Sequence, residues 1–347
     1  MFGKVRLGRG VLKSKPAQLI CCTRQSTKSG SIHNIHDNKN EVEIMNINSI
    51  NNPSEPITVP ISESSKILKH LHFTKRLDFE RGLTIQEQFV KAQLEMKKIQ
   101  ATVNKSMKKL EVDHPGSVIN PHEKMIIDNV MALKPNPVIL TFEFDPVYTS
   151  GKRTNKIITK DSIRKYENFI PETEKHNPKP KFVQVQRGGQ ITFHGPGQMI
   201  AYLILDMVTF KNFLAKNHVA AIETAMINSL SSLPDGIDGV KLGLECKKTF
   251  NTGVWTMDNK KIASVGVHVR RSVTSHGVCI NVNPDLSYLN SFIMCGLDDA
   301  KATSIKAMKP DSSVTVRDIA FKFVNEYTKL IGIDSVERIE LEDLEID

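Results

Sequence analysis

The stretch QRGGQITFHGPGQMIAYLILD, residues 186–206, places an arginine, four glycines, a proline and a histidine ahead of an unbroken apolar run. The run MIAYLILDM (199–207) reads as a strand. The glycines before it lack the GxGxxG spacing and lead into a strand rather than a helix, so they fit a dinucleotide-binding loop poorly. Gly188, Gly189, Gly195 and Gly197 allow positive φ and close approach of a second group to the backbone, and Pro196 fixes the turn between the last two. A loop of this composition is by itself most often a turn between strands. Arg187 and His194, flanking accessible amides, point instead to a binding site.

Working outward, KFVQVQ (181–186), TGVWTMD (252–258), KKIASVGVHV (260–269) and HGVCINVN (276–283) also read as strands, and the turn MDNKK favours a hairpin. A further strand is expected over 138–144. Ile85, Phe89, Ala92, Met96, Ile99 and Val103 recur at helical spacing and predict a helix over 84–109. A short helix is expected at 122–133 between prolines, one over 212–230 with Ala215, Val219, Ile222, Met226 and Leu230 on one face, and another after Thr315. The elements do not alternate as in a doubly wound fold. The fold class is therefore α+β (α/β), a mixed or largely antiparallel sheet packed with helices.

The chain has 347 residues, long enough for two or three average domains, but one catalytic domain with appendages fits the element pattern. Its hydrophobic content of 39% supports a sizeable core. No apolar run approaches the roughly 20 residues of a membrane-spanning helix. Lys4, Arg6, Arg9, Lys13, Lys15, Arg24 and Lys28 fall in residues 1–30 without one acid, so most of the +9 formal charge belongs to the leader and not to a nucleic-acid surface. An acid-free leader rich in Arg, Lys and Ser, without a continuous apolar core, predicts a mitochondrial matrix presequence rather than a secretory signal. The Asn- and Ser-rich residues 31–65 extend it as an expected disordered segment, and the catalytic body is expected over 66–347. Cys21, Cys22, Cys246, Cys279 and Cys295 form no CxxC pair or zinc spacing, which fits a reducing compartment and leaves room for one reactive thiol.

RGGQITFHGPGQMIAYLILD resembles the signature of the lipoyl(octanoyl) transferases. Three more segments agree in order: DPVYTSGKR (145–153), GVWTMDNKKIASVGVHVRRSVTSHGVCINVNPDL (253–286) and MCGLDDAKATSI (294–305). Four ordered motifs over roughly 80–330 identify the chain as a member of that family, of the mitochondrial fungal type. The resemblance implies the fold of the biotin and lipoate protein ligases. It implies transfer of an octanoyl group from octanoyl-acyl carrier protein to a lysine of the lipoyl domains of 2-oxoacid dehydrogenase complexes and of the glycine cleavage H protein. No metal, nucleotide or other cofactor is implied. Two alternatives share part of the pattern: an ATP-dependent lipoate ligase, which uses a lysine without a cysteine nucleophile, and a non-catalytic lipoyl-domain binding protein.

Carried over residue by residue, the family's nucleophile falls on Cys295 and its assisting lysine on Lys261, while Lys260 reads as a solvated charge. The pairing has a chemical reason, because a thiolate attacks a thioester well and a nearby ammonium both lowers the thiol pKa and supplies a proton. The substrate contacts carry over onto Arg187, Gly188, Gly189, Gln190, Ile191, Thr192, Phe193 and His194, onto Ser264, Val265 and Gly266, and onto His276, Gly277, Val278 and Cys279. Three positions depart from the usual pattern: Cys279 replaces a small apolar residue, Met294 a proline, and Phe193 a Tyr or Trp. Residues 101–125 and 152–180 are insertions relative to compact members. Basic residues near the motifs, Lys152, Arg153, Arg270, Arg271, Lys301 and Lys306, are candidates for docking an acidic carrier.

Overall fold

A computed structural model of the protein describes residues 4–7, 10–13, 55–236, 240–293 and 299–342. Apart from a two-stranded antiparallel ladder, β1 (Lys4–Leu7) with β2 (Gly10–Lys13), the expected leader lies outside the described residues, and so do residues 294–298 with Cys295. The body is built on an eight-stranded mixed sheet. Its strands are β3 (Ile67–Phe73), β4 (Val138–Phe142), β8 (Gln198–Ile204), β9 (Cys246–Lys247), β10 (Val254–Thr256), β11 (Lys261–Arg270), β12 (Val273–Asn281) and β13 (Ser335–Leu341), in the order β13-β3-β4-β8-β12-β11-β10-β9. The β13-β3 and β3-β4 pairs are parallel and the rest antiparallel. A second sheet has the order β6-β5-β7, from β5 (Val147–Ser150), β6 (Lys181–Gln184) and β7 (Ile191–His194).

The apolar run that decides the fold is β8, buried along its whole length. Its alternate side chains feed two cores. Met199, Ala201 and Leu203 meet the cluster that contains Ile222 and Met226 of α4 (Ala215–Ser232) and Phe323 and Tyr327 of α7 (Val316–Leu330). Ile200, Tyr202 and Ile204 meet the cluster that contains Ile85 and Val90 of α1 (Phe79–Asp113). Burial on both faces explains why the run shows no polar alternation. Helix α2 (Pro121–Ala132) follows α1, α3 (Lys160–Glu167) lies within the 152–180 insertion, and α5 (Leu286–Leu289) and α6 (Ile305–Met308) flank the segment around residue 295. Thr315 caps α7, its side chain accepting from the Asp318 amide.

Two expectations shift. The buried face of α1 carries Gln86, Gln93 and Gln100 at seven-residue spacing, whereas Ile99, expected inside, is exposed. The glutamines are buried because each satisfies a backbone group: Gln86 Oε1 accepts from the His276 amide at 2.6 Å, Gln93 Nε2 donates to Asn136 O at 3.0 Å, and Gln100 Nε2 donates to Leu133 O at 2.6 Å. The packed body also begins before residue 66. Ile57 N donates to Leu330 O (2.7 Å), Thr58 Oγ1 to Lys211 O (2.6 Å), Ile61 N to Thr209 O (2.8 Å) and Ser65 Oγ to Thr209 O (3.1 Å). Residues 55–65 are therefore a strap tying the end of α7 to the segment after β8, and the expected disorder does not extend over them. A chain that begins at Glu55 is expected to melt several degrees above one that begins at Lys66, since loss of about 2 kcal/mol of buried hydrogen bonding moves the transition of a domain this size by roughly 4–8 °C. Equal melting temperatures in a thermal scan would show that the strap adds nothing.

Candidate active site

Fifteen residues were expected to form the substrate site, and the structure gathers fourteen of them around one cavity of ≈ 430 Å³, with Lys261 in the same wall. They come from three places: the loop and strand 187–194, the β11 stretch 264–266, and the β12 stretch 276–279. The exception is Phe193. It is wholly buried away from the cavity, with its ring stacked on Tyr288 at 4.2 Å and 9° and beside Tyr148 at 5.1 Å. This aromatic group anchors β7 to α5 instead of touching a ligand. Two glycines permit the close approach that shapes the cavity. A Cβ on Gly277 would lie 2.3 Å from Ala201 O, and one on Gly266 would lie 2.8 Å from Arg187 Cδ.

Arg187 is buried, and its guanidinium is held by oxygens: Nη1 donates to Gly188 O (3.0 Å) and Gln190 O (2.9 Å), Nη2 to Thr149 O (3.0 Å) and Thr149 Oγ1 (2.7 Å). Burial pulls its pKa down to about 10, still protonated near neutrality. His194 stacks on Phe79 at 5.8 Å, and His276 meets the Tyr202 ring edge-on at 5.6 Å. Burial, reinforced by the Arg187 charge, pushes both imidazoles down to about 3. Both are therefore neutral and too weakly basic to carry protons near pH 7. The buried Cys279 thiol is pushed up by desolvation, which keeps it protonated and makes it a packing residue rather than a nucleophile.

Lys261 opens β11 and is 6% exposed, whereas Lys260 is solvent-exposed and paired with Asp258 at 2.8 Å. The Lys261 ammonium sits 5.3 Å from the centre of the Trp255 ring. Its backbone is clamped on both sides: Lys261 N donates to Lys301 O (2.8 Å) and Lys261 O accepts from Thr303 N (2.9 Å). The described flanks of residue 295 thus attach to the lysine's strand. Asn290 Oδ1 accepts from the Ala302 amide at 2.9 Å, and Leu289 and Phe292 line the cavity.

Sequence reasoning missed several participants. Tyr202, opposite Gly277 in the β8–β12 register, follows from strand parity once that register is known. Phe79 and Phe250 lie in no motif, yet both line the cavity. Glu223 of α4 is buried and accepts the Gly253 amide at 2.8 Å. Burial pushes its carboxyl up, while the Gly253 amide and the charges of Lys248 and Lys261 oppose the shift. Gly253 has φ +126°, and a Cβ there would lie 2.7 Å from Lys261 Cε, so this glycine lets the lysine pass across its backbone.

The Lipoyl protein ligase A/B catalytic domain model matches residues 121–328. The chain belongs to this family. It is similar to a Kluyveromyces lactis protein named octanoyltransferase, mitochondrial, with 54% identity over 292 residues covering 83% of this chain and 88% of that protein. A Saccharomyces cerevisiae protein of the same name is 53% identical over 293 residues, covering 84% and 89%. Among solved structures, Plasmodium falciparum LipL1 in complex with lipoate aligns with 12% identity and a TM-score of 0.45, covering 78% of this chain and 66% of that one. The protein is a mitochondrial transferase with a lipoyl protein ligase A/B type of catalytic domain.

The buried histidines give the transferase an acid limb of stability. The pKa values of His194 and His276 fall from 6.5 to about 3 on folding, so the unfolded chain takes up protons that the folded one refuses. Their contribution is complete above pH 6.5 and is lost as pH falls toward 3, each histidine costing about 1.4 kcal/mol per pH unit in that window. Urea midpoints are expected to be lower at pH 5.5 than at pH 7.5; a midpoint that does not move would contradict burial of neutral imidazoles.

Proposed function

We propose that the protein transfers the octanoyl group of octanoyl-acyl carrier protein to a lysine of lipoyl domains through an acyl-Cys295 thioester, with Lys261 as the proton carrier. The observation that carries this reading is the position of Lys261, buried in the wall of the cavity and hydrogen-bonded through its backbone to residues 301 and 303, immediately beyond the MCG motif. The neutrality of His194 and His276 near pH 7 supports it, because it leaves Lys261 as the side chain in that wall suited to proton transfer.

In the first exchange the Cys295 thiolate attacks the carrier thioester carbonyl. The new C–Sγ bond forms, the carbonyl–carrier sulfur bond breaks, and the Lys261 ammonium protonates the departing thiolate. In the second, the amine of the target lysine attacks the acyl-Cys295 carbonyl and gives its proton to the now neutral Lys261. An amide forms, Cys295 leaves as a thiolate, and both catalytic groups return to their starting state. Arg187, the glycine-rich loop and the 264–266 and 276–279 stretches hold the acyl chain and exclude water from the thioester.

Mass spectrometry of the protein mixed with octanoyl-acyl carrier protein, without ATP, is expected to find one octanoyl adduct on Cys295. Cys295→Ala is expected to lose both adduct and transfer, and Cys279→Ala to keep most activity. Lys261→Ala should lower turnover by roughly 10²–10⁴-fold, and Lys261→Arg should not restore it, because a guanidinium does not release its proton near neutrality. An adduct mapped to Cys279, or a fully active Lys261→Arg enzyme, would overturn these roles.

Docking of the acidic carrier has a narrower basis than the sequence implies. Arg270 is paired with Glu87 of α1 at 2.6 Å and Lys306 Nζ donates to Ser312 O at 3.1 Å, while Lys152 and Arg271 are exposed. Reversing Lys152 and Arg271 to Glu is expected to slow acylation by the carrier-bound donor, most at low salt, and to leave a small octanoyl thioester unaffected. Equal losses with both donors in a rate comparison would exclude a docking role.

A further inference from the structure

The cavity has two unlike ends. Lys261 opens β11, and Gly266 lies five residues further on, about 17 Å away along the strand. Gly266 pairs with Gly277 and Gly277 with Tyr202, so Tyr202 marks the end opposite the lysine. Phe142 and Phe144 back the Tyr202 ring at 5.3 and 6.1 Å and close that end. Cys279, paired with Ser264, falls between the two ends.

At the closed end the chemistry is wrong for a wholly apolar ligand. Arg187 Nε, His194 Nδ1 and the Tyr202 hydroxyl are buried with no hydrogen-bond partner among the described residues. Their residues are 8%, 8% and 3% exposed and line the same cavity. Buried polar atoms are ordinarily paired, and these three unpaired ones belong to residues that line one cavity. Their hydrogen-bonding capacities are complementary. Arg187 Nε only donates, a neutral imidazole has one accepting nitrogen, and the tyrosine hydroxyl does either. Water accepts from the first, donates to the second and pairs with the third, within the two to four partners typical of a buried water.

We propose that the closed end is a polar stop, where Arg187, His194 and Tyr202 together hold a water molecule that limits the length of the acyl chain. This rests on the reading that the cavity holds the acyl group. A chain that stops short of the water leaves its three bonds intact. A chain two carbons longer takes the water's place, and a methyl terminus pairs with none of the three polar atoms, so the longer chain is rejected by lost hydrogen bonds rather than by bulk alone. The stop discriminates against longer chains and leaves shorter ones to differ only in contact area.

The test compares full-length native protein with Tyr202→Phe, which keeps the ring and removes the hydroxyl. Acylation rates are measured for hexanoyl, octanoyl, decanoyl and dodecanoyl thioesters of a small thiol, with melting temperatures taken alongside. The octanoyl-to-decanoyl preference is expected to fall by about tenfold in Tyr202→Phe, with the hexanoyl-to-octanoyl ratio unchanged. A crystal structure of the native octanoyl adduct is expected to show ordered solvent touching all three atoms, and this serves if the variant does not fold. An unchanged octanoyl-to-decanoyl ratio in a folded Tyr202→Phe protein, or an adduct whose terminal methyl touches the Tyr202 hydroxyl directly, overturns the polar stop while leaving the acyl site in place. Failure of the native protein to form an adduct with any chain length overturns the acyl site itself.

Discussion

The buried guanidinium of Arg187 is the joint on which the site depends. Its two terminal nitrogens bind carbonyl oxygens of its own loop and both the carbonyl and the hydroxyl of Thr149 in β5, while its stem lies against Gly266 of β11. One side chain therefore fixes the glycine-rich loop, the small sheet and the large sheet relative to one another. A buried cation is tolerable only when its donors meet aligned dipoles, and the loop's freedom to turn its carbonyls inward is what its glycines supply. Replacing the fork with a lysine's single ammonium would leave part of that set unmet. The cavity is the space left between the sheets once this joint has closed.

A second connection reaches the lysine from the opposite side of the sheet. Glu223 belongs to α4, yet its carboxylate holds the Gly253 amide, and the Gly253 backbone is the surface over which the Lys261 side chain passes. Trp255, whose indole nitrogen donates to Asn251 O at 2.8 Å, supplies the neighbouring ring. The lysine is thus placed by a strand and a turn of one motif and by a helix residue, Glu223, that lies outside every motif.

Much of this was legible in the chain. The apolar run of β8, the strands around 260–283, the capped helix after Thr315 and fourteen of the fifteen expected lining positions follow from local pattern and motif order. What stayed hidden depends on parity or on long-range pairing. Phe193 sits within the motif, but its stacking on Tyr288 is set by residues almost a hundred positions away. Gln86, Gln93 and Gln100 look like a solvated stripe until the backbone groups they satisfy are known. β13 is half-exposed, with two glutamates and an arginine near the chain's end, so its alternation is weak, and its parallel partner β3 lies at the other end of the body. The strap at 55–65 has the composition of a linker and becomes ordered only through hydrogen bonds to α7 and to the segment after β8.

The β11–β12 hairpin has one further consequence. Its eight paired positions close around a turn in which Arg271 and Ser272 both have positive φ, 49° and 69°. That geometry matches the twist of the strands, though neither residue is a glycine. The closure needs only a short loop, whereas β13 must find β3 across most of the chain, from Ser335 back to Ile67. Loop-closure entropy grows with separation, so it favours early formation of the ribbon that carries Lys261 and Cys279 and late addition of the parallel edge. The ribbon that walls the cavity is thus assembled from its most local contacts, and the edge strand β13, at the far side of the sheet, closes the fold.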